Sequence, residues 1–171
     1  SNICTASALT AIMASFYGMW HGAEGLKNKA VKINVLSGVL AKEAEKYGYK
    51  QYNEHYFDTL CLETPEGTTC EDVKKAALAK EINLCYHCER CFTISLDETV
   101  THDDVNDILE ALAIAAKKPF TPHVCDGSCG IPDLHIPAEL TRKSAFMQHK
   151  IFNQYHSETE MMRYMKMLEV K

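Results

Sequence analysis

The chain has no initiator methionine, no signal-peptide pattern and no uncharged apolar run long enough to be a convincing membrane span. Its longest apolar stretch, residues 3–20, is broken by Thr5, Ser7, Thr10 and Ser15. A chain that starts at once inside such a stretch reads as a piece of something larger. There is no basic run either, and the net charge of -5 is spread along the sequence, which gives no electrostatic ground for a nucleic-acid or membrane partner. A glycine-rich phosphate cradle, an internal repeat and a low-complexity tract are all missing. Proline is scarce outside residues 119–137, where four of the five prolines gather with Gly127 and Gly130. What remains is a soluble, mildly acidic protein whose 171 residues, 46% of them hydrophobic, can bury one core.

The opening residues 1–22 carry the longest helical pattern. Leu9, Ile12, Met13, Phe16, Tyr17 and Trp20 recur at steps of three and four, and small residues line the other side, which predicts a helix sandwiched between other elements. Asn2 or Thr5 is its expected N-cap, and Gly22 with Gly25 its stop. A second helix follows, with Leu26, Ala30, Ile33, Leu40, Ala44 and Tyr47 on one face and Gly48 at its end.

Residues 56–62 read as a strand, bounded by Asn53 and the Pro65-Glu66-Gly67 turn. Thr69 with Asp72 marks a helix start, and Val73, Ala76 and Ala77 form its short stripe. Residues 82–87 and 92–96 predict a hairpin, and Thr101 with Asp103 and Asp104 begins a helix carrying Val105, Ile108, Leu109 and Leu112. The order ααβαββα defines an α+β fold with helices packed on a small sheet. Residues 119–140 read as a linker, and Ser157 with Glu160 opens a last amphipathic helix bearing Met161, Met165 and Leu168.

Eight cysteines are many for such a chain. Cys4, Cys61 and Cys70 lack framework spacing and read as small buried hydrophobes in a reducing compartment. Cys85, Cys88 and Cys91, with Cys125 and Cys129 and the nearby His87 and His123, raise a zinc or iron–sulfur alternative and hence a metal-binding or interaction module. Strand geometry puts Cys85 and Cys91 on one face and turns Cys88 away unless the turn bends it back, so no ordered metal site is expected. The Tyr155-His156-Ser157-Glu158 string offers an imidazole and a carboxylate that could line a substrate cavity. The simpler reading, which explains most of the string, is a cap, with Ser157 and Glu160 satisfying helix amides and Glu158 favouring the dipole. Asn2, Cys4 and Thr5 carry the same pair of readings.

Ser1-Asn2-Ile3-Cys4-Thr5-Ala6, His21-Gly22, Phe57-Asp58-Thr59, residues 94–99 (ISLDET) and residues 155–160 (YHSETE) together resemble the glycine decarboxylase P-protein family. That resemblance runs from Ser1 to about residue 169 and thins between residues 117 and 140. It implies an enzyme of the glycine cleavage system in which glycine forms a Schiff base with pyridoxal phosphate, loses carbon dioxide and passes its aminomethyl group to a lipoylated H-protein. It also implies two aminotransferase-like halves of fold type I in a dimer, located in a bacterial cytoplasm or a mitochondrial matrix. By the same resemblance, residues 1–118 are the C-terminal small domain of the first, cofactor-free half, 119–140 the linker, and 141–171 the helical start of the second half. The Schiff-base lysine of the family sits in a His-Lys-Thr string, whereas here His149-Lys150 precedes Ile151. The segment is therefore expected to hold no cofactor and no catalytic residue. It is expected to act as scaffold, with Asn2, Cys4, Thr5, His156 and Glu158 as possible pocket wall. Where that family usually has an arginine and an acidic-glycine turn, this chain has the thiols around Cys85.

Overall fold

A computed structural model describes residues 7–124 and 136–170. The chain divides into two compact units, one built from residues 1–30 with 142–171 and the other from residues 31–141. Helix α1 (Ala8–Lys46) belongs to both.

The larger unit is the α+β part. Strands β1 (Lys50–Gln51), β2 (Thr59–Glu63), β3 (Cys85–Tyr86) and β4 (Cys91–Ser95) form one antiparallel sheet in the order β1-β2-β4-β3. The central pair is registered Thr59 to Ser95 through Glu63 to Cys91. Side chains alternate across a strand, so Leu60, Leu62, Phe92 and Ile94 point together into the core and are almost wholly buried. Against them lie Leu40 and Ala44 of α1, Val73 of α2 (Cys70–Ala79), and Val105, Leu109 and Leu112 of α3 (His102–Ala115). Tyr49 meets Phe92 edge-on at 5.9 Å and donates its hydroxyl to the Leu112 carbonyl at 3.0 Å, which ties sheet to α3. Burial pushes that phenol well above its ordinary range.

Both inner helices start as the sequence predicts. Thr69 and Thr101 are N-caps with complete capping boxes, closed by Asp72 and Asp104. Both end alike: Ile82 N–H bonds to Ala77 O and Lys118 N–H to Ala113 O, each across a residue in left-handed conformation, Glu81 (φ 60) and Lys117 (φ 55).

Several expectations are corrected. Gly22 does part the two expected helices, which run together as α1 across its non-helical backbone (φ 61, ψ -174), whereas Gly25 adds no stop and lies within the second of them. The strand expected from residue 56 begins only at Thr59, since the buried Asn34 side-chain amide donates to the Tyr56 and Phe57 carbonyls at 3.2 and 2.8 Å. In the hairpin, β3 is only Cys85–Tyr86. Strand β1 has no sequence pattern and was not expected. Cys70 is buried as predicted, but Cys61 is only half-buried, on the sheet face away from the core.

In the smaller unit the largest departure is the opening face. Leu9, Ile12, Met13, Tyr17 and Trp20, predicted to be sandwiched, are 66%, 52%, 62%, 38% and 42% exposed. Met19, at the edge of that pattern, is the buried one. Helix α4 (Glu158–Glu169) likewise has no buried residue, although its Met and Leu stripe is amphipathic.

Candidate functional site

The smaller unit brings the kink of α1 against the segment before α4. Gly18 and Gly22 make room for it: a Cβ on Gly18 would meet Met147 and Phe152 side chains at 3.4 and 3.8 Å, and one on Gly22 would stand 2.8 Å from the Phe152 carbonyl. A short 3-10 turn (Lys150–Asn153), capped by His149, carries Phe152 into this place. A non-helical residue at 22 interrupts the helical hydrogen-bond ladder, and the Trp20 carbonyl takes His156 Nδ1 at 2.8 Å. A carbonyl cannot donate, so Nδ1 carries the proton. Tyr17 and His21 stack edge-on at 4.4 Å one turn away, with Lys29 over the Tyr17 ring.

Of the sequence-predicted pocket residues, His156 is thus fastened to backbone, and Glu158 stands exposed in the first turn of α4. Ser157 caps α4 by accepting a hydrogen bond from the Glu160 amide at 3.4 Å, which is half of the predicted box, and its hydroxyl donates a hydrogen bond to the Glu160 carboxylate at 3.1 Å. Lys150 is exposed on the 3-10 turn. Asn2, Cys4 and Thr5 lie outside the described residues, as do Cys125 and Cys129.

Of the remaining thiols, Cys61, Cys85 and Cys91 sit on the larger unit's open sheet face, Cys88 lies in the turn between β3 and β4, and Cys70 is buried on α2. Cys61, Thr93 and Cys85 stand side by side in register, with Glu63 beside Cys91 in the next row. His87 Nε2 lies 3.1 Å from Thr93 Oγ1. Cys88 is bent back, its amide and that of His87 both reaching the Cys91 carbonyl, at 3.3 and 3.0 Å. Among the described residues no group of three or more His, Cys, Asp or Glu side chains is arranged to hold a metal ion.

Sequence reasoning missed a polar cluster at the end of α1. Buried Glu43 is held by Lys46 at 2.6 Å and faces His123 Nδ1 at 3.4 Å. The His102 ring stacks on His123 at 5.0 Å, and Asn106 bonds the His123 backbone in both directions. Only the chain's course after Pro119 brings these residues together, and no local pattern announces it.

Similarity places the chain firmly. The family model described as "Glycine cleavage system P-protein" matches residues 1–112. "Glycine dehydrogenase (decarboxylating)" of Paraburkholderia xenovorans is 44% identical over 174 residues, covering 100% of this chain and 18% of that protein. The proteins of the same name from Bacteroides thetaiotaomicron and Synechocystis sp. are each 43% identical, again over 100% of this chain and over 18% and 17% of their own lengths. The chain belongs to the glycine cleavage system P-protein family. It spans less than a fifth of the length of these relatives.

Proposed function

We propose that this chain is a segment of a glycine dehydrogenase (decarboxylating) that serves as scaffold and pocket wall, without a catalytic residue of its own. The whole protein would decarboxylate glycine on pyridoxal phosphate and pass the aminomethyl group to lipoylated H-protein, as a dimer in a bacterial cytoplasm. Residues 1–118 would close the first, cofactor-free, aminotransferase-like half, 119–140 would link the halves, and 141–171 would open the second. Asn2, Cys4, Thr5, His156 and Glu158 would stand at the pocket wall.

The observation that carries this reading is the exposed apolar face of α1 in a chain covering 18% of its relatives' length. These five large side chains, 38% to 66% exposed, forgo part of the roughly 1.5 to 3 kcal/mol that full burial of such a side chain returns, and the four-fifths of the relatives' length outside this chain would supply a surface to cover them.

The capped helix starts offer a phosphate little: α2, α3 and α4 each begin with a side chain on the first open amides and acids in the first turn, Glu71 and Asp72, Asp103 and Asp104, Glu158 and Glu160, which oppose an anion there.

Co-production of the chain with the flanking remainder of its P-protein tests the reading, with glycine–bicarbonate carboxyl exchange measured in the presence of lipoylated H-protein. Exchange is expected only when both parts are present. The chain alone should give no saturable absorbance with pyridoxal phosphate. Exchange by the chain alone, a saturable band lost on replacing one lysine, or a remainder equally active without this segment would overturn it.

A further inference from the structure

We propose that His156 meets the amino end of the substrate, its Nε2 accepting a hydrogen bond from the ammonium group of glycine in the assembled enzyme. This rests on the pocket-wall reading above and names which end of glycine that wall holds. His156 binds and orients here and takes no part in bond-making, in keeping with a scaffold role.

The direction of one hydrogen bond carries the assignment. His156 Nδ1 lies 2.8 Å from the Trp20 carbonyl, which has no proton to give, so Nδ1 is a donor whether the ring is neutral or charged. In the neutral ring Nε2 is therefore a lone pair. Among the described residues, the Trp20 carbonyl is the one group that bonds to His156, which leaves Nε2 without a donor.

Gly22 keeps that edge of the exposed ring uncovered. A Cβ there would stand 3.3 Å from His156 Cε1 and 4.0 Å from Nε2. The Phe152 carbonyl borders the same spot, 2.8 Å from that Cβ position, so both polar groups beside Gly22 are acceptors. A carboxylate finds no proton to share at such an edge, whereas an ammonium finds lone pairs. Glycine carries one group of each kind, and its amino end is the one that fits.

The charge of the ring adds a sign. Imidazole is the side chain that changes charge between about pH 5 and 8. A second proton removes the acceptor and makes the ring a cation, which repels an ammonium and attracts a carboxylate. The ionisable side chains on the elements that meet here are Tyr17, His21 and Glu24 of α1, Lys150 of the 3-10 turn, and Glu158 and Glu160 of α4, and among the described residues none of them bonds to His156. Acid should therefore weaken the hold on glycine.

The test measures KM and kcat for glycine in glycine–bicarbonate exchange by the whole P-protein with lipoylated H-protein, between about pH 6 and 8. His156→Asn places an amide N–H where Nδ1–H stood, which keeps the Trp20 bond, and leaves nothing at Nε2. Its KM is expected to rise about tenfold, as for the loss of one hydrogen bond to a charged group, with kcat little changed. His156→Gln returns a carbonyl oxygen near the Nε2 position and should recover part of the affinity without titrating. Relative to His156→Asn, the KM of the unaltered enzyme should climb as pH falls, a comparison that cancels groups titrating elsewhere. Amide exchange across α4 confirms that both variants keep the segment in place. An unchanged KM in His156→Asn while the segment is still required for exchange, or a relative KM that falls in acid, overturns this proposal and leaves the scaffold reading standing. Full exchange by the remainder without this segment overturns the scaffold reading, and this proposal with it.

Discussion

His156 and Trp20, 136 positions apart in sequence, are joined by a hydrogen bond of 2.8 Å from the imidazole Nδ1 to the Trp20 main-chain carbonyl. The bond exists because Gly22 breaks the helix just beyond, and Gly22 can do so because it has no side chain. Its φ of 61 with ψ of -174 is a conformation essentially reserved for glycine, and the Phe152 carbonyl fills the space a Cβ would need. Gly22→Ala is expected to cost about 1 to 3 kcal/mol in backbone strain and to release residues 142–170. His156→Ala, which removes one hydrogen bond, should cost about 1 kcal/mol. Amide hydrogen exchange across α4 reads both: a marked loss of protection in Gly22→Ala and a smaller one in His156→Ala. Equal protection in all three proteins would refute the account.

The helix caps make the larger unit acid-sensitive. Asp72 is held below the ordinary carboxylate value first by the Thr69 amide and then by its hydroxyl, Asp104 first by the Thr101 hydroxyl and then by its amide, and Asp97 first by the Thr99 hydroxyl. Depressed folded-state values mean stability that is complete above the unfolded carboxylate value of about 4 and lost as pH falls through it and below. Thr101→Ala should lower stability near neutrality by about 1 kcal/mol, and thermal unfolding of the Thr69→Ala, Thr101→Ala pair should fall less steeply between neutral pH and acid than that of the unaltered chain. An unchanged slope would show that these carboxylates do not set the acid limit.

Glu81 is an opportunity for stabilisation. It occupies the left-handed position after α2, is exposed, and pairs with nothing among the described contacts that glycine would forfeit. Glu81→Gly removes the steric cost of a side chain there and is expected to raise stability by about 0.5 to 1 kcal/mol after glycine's own entropy is counted. The midpoint of chemical denaturation checks it, and a fall would mean that Glu81 makes an interaction that the backbone argument omits.

The exposed faces predict association. Leu9, Ile12 and Met13 on α1, with Met162, Met165 and Leu168 on α4, offer apolar surface that another copy can cover when the rest of the protein is absent. Sedimentation of the isolated chain should show dimers or larger species that diminish with Ile12→Asp, Met13→Asp, and the same double variant should fail to rescue exchange activity when co-produced with the remainder. A strictly monomeric chain, or full rescue by the variant, would dismiss the covering role of this face.

Local chemistry was legible in the sequence and distant chemistry was not. The Thr69–Asp72 and Thr101–Asp104 boxes span three residues, so the string itself contains the interaction. The apolar alternation around Leu60, Leu62, Phe92 and Ile94 likewise announces a half-buried sheet. Two-residue strands carry no period, which hides β1 and shortens β3. Gly22 is legible as the break between two helices, because glycine alone tolerates the backbone found there. The His156–Trp20 bond and the Glu43–His123 pair depend on where separate segments come to rest, and no local pattern announces either.

The sheet order has a consequence for how this chain ages in solution. Each margin consists of a strand only two residues long, Lys50–Gln51 on one side and Cys85–Tyr86 on the other, and the first carries an exposed lysine. An incoming strand would gain almost no ladder there and would meet a charge. Fibril growth by stacking on the native sheet is thereby discouraged, and concentrated samples should turn cloudy through helix-face clumping long before they bind an amyloid dye.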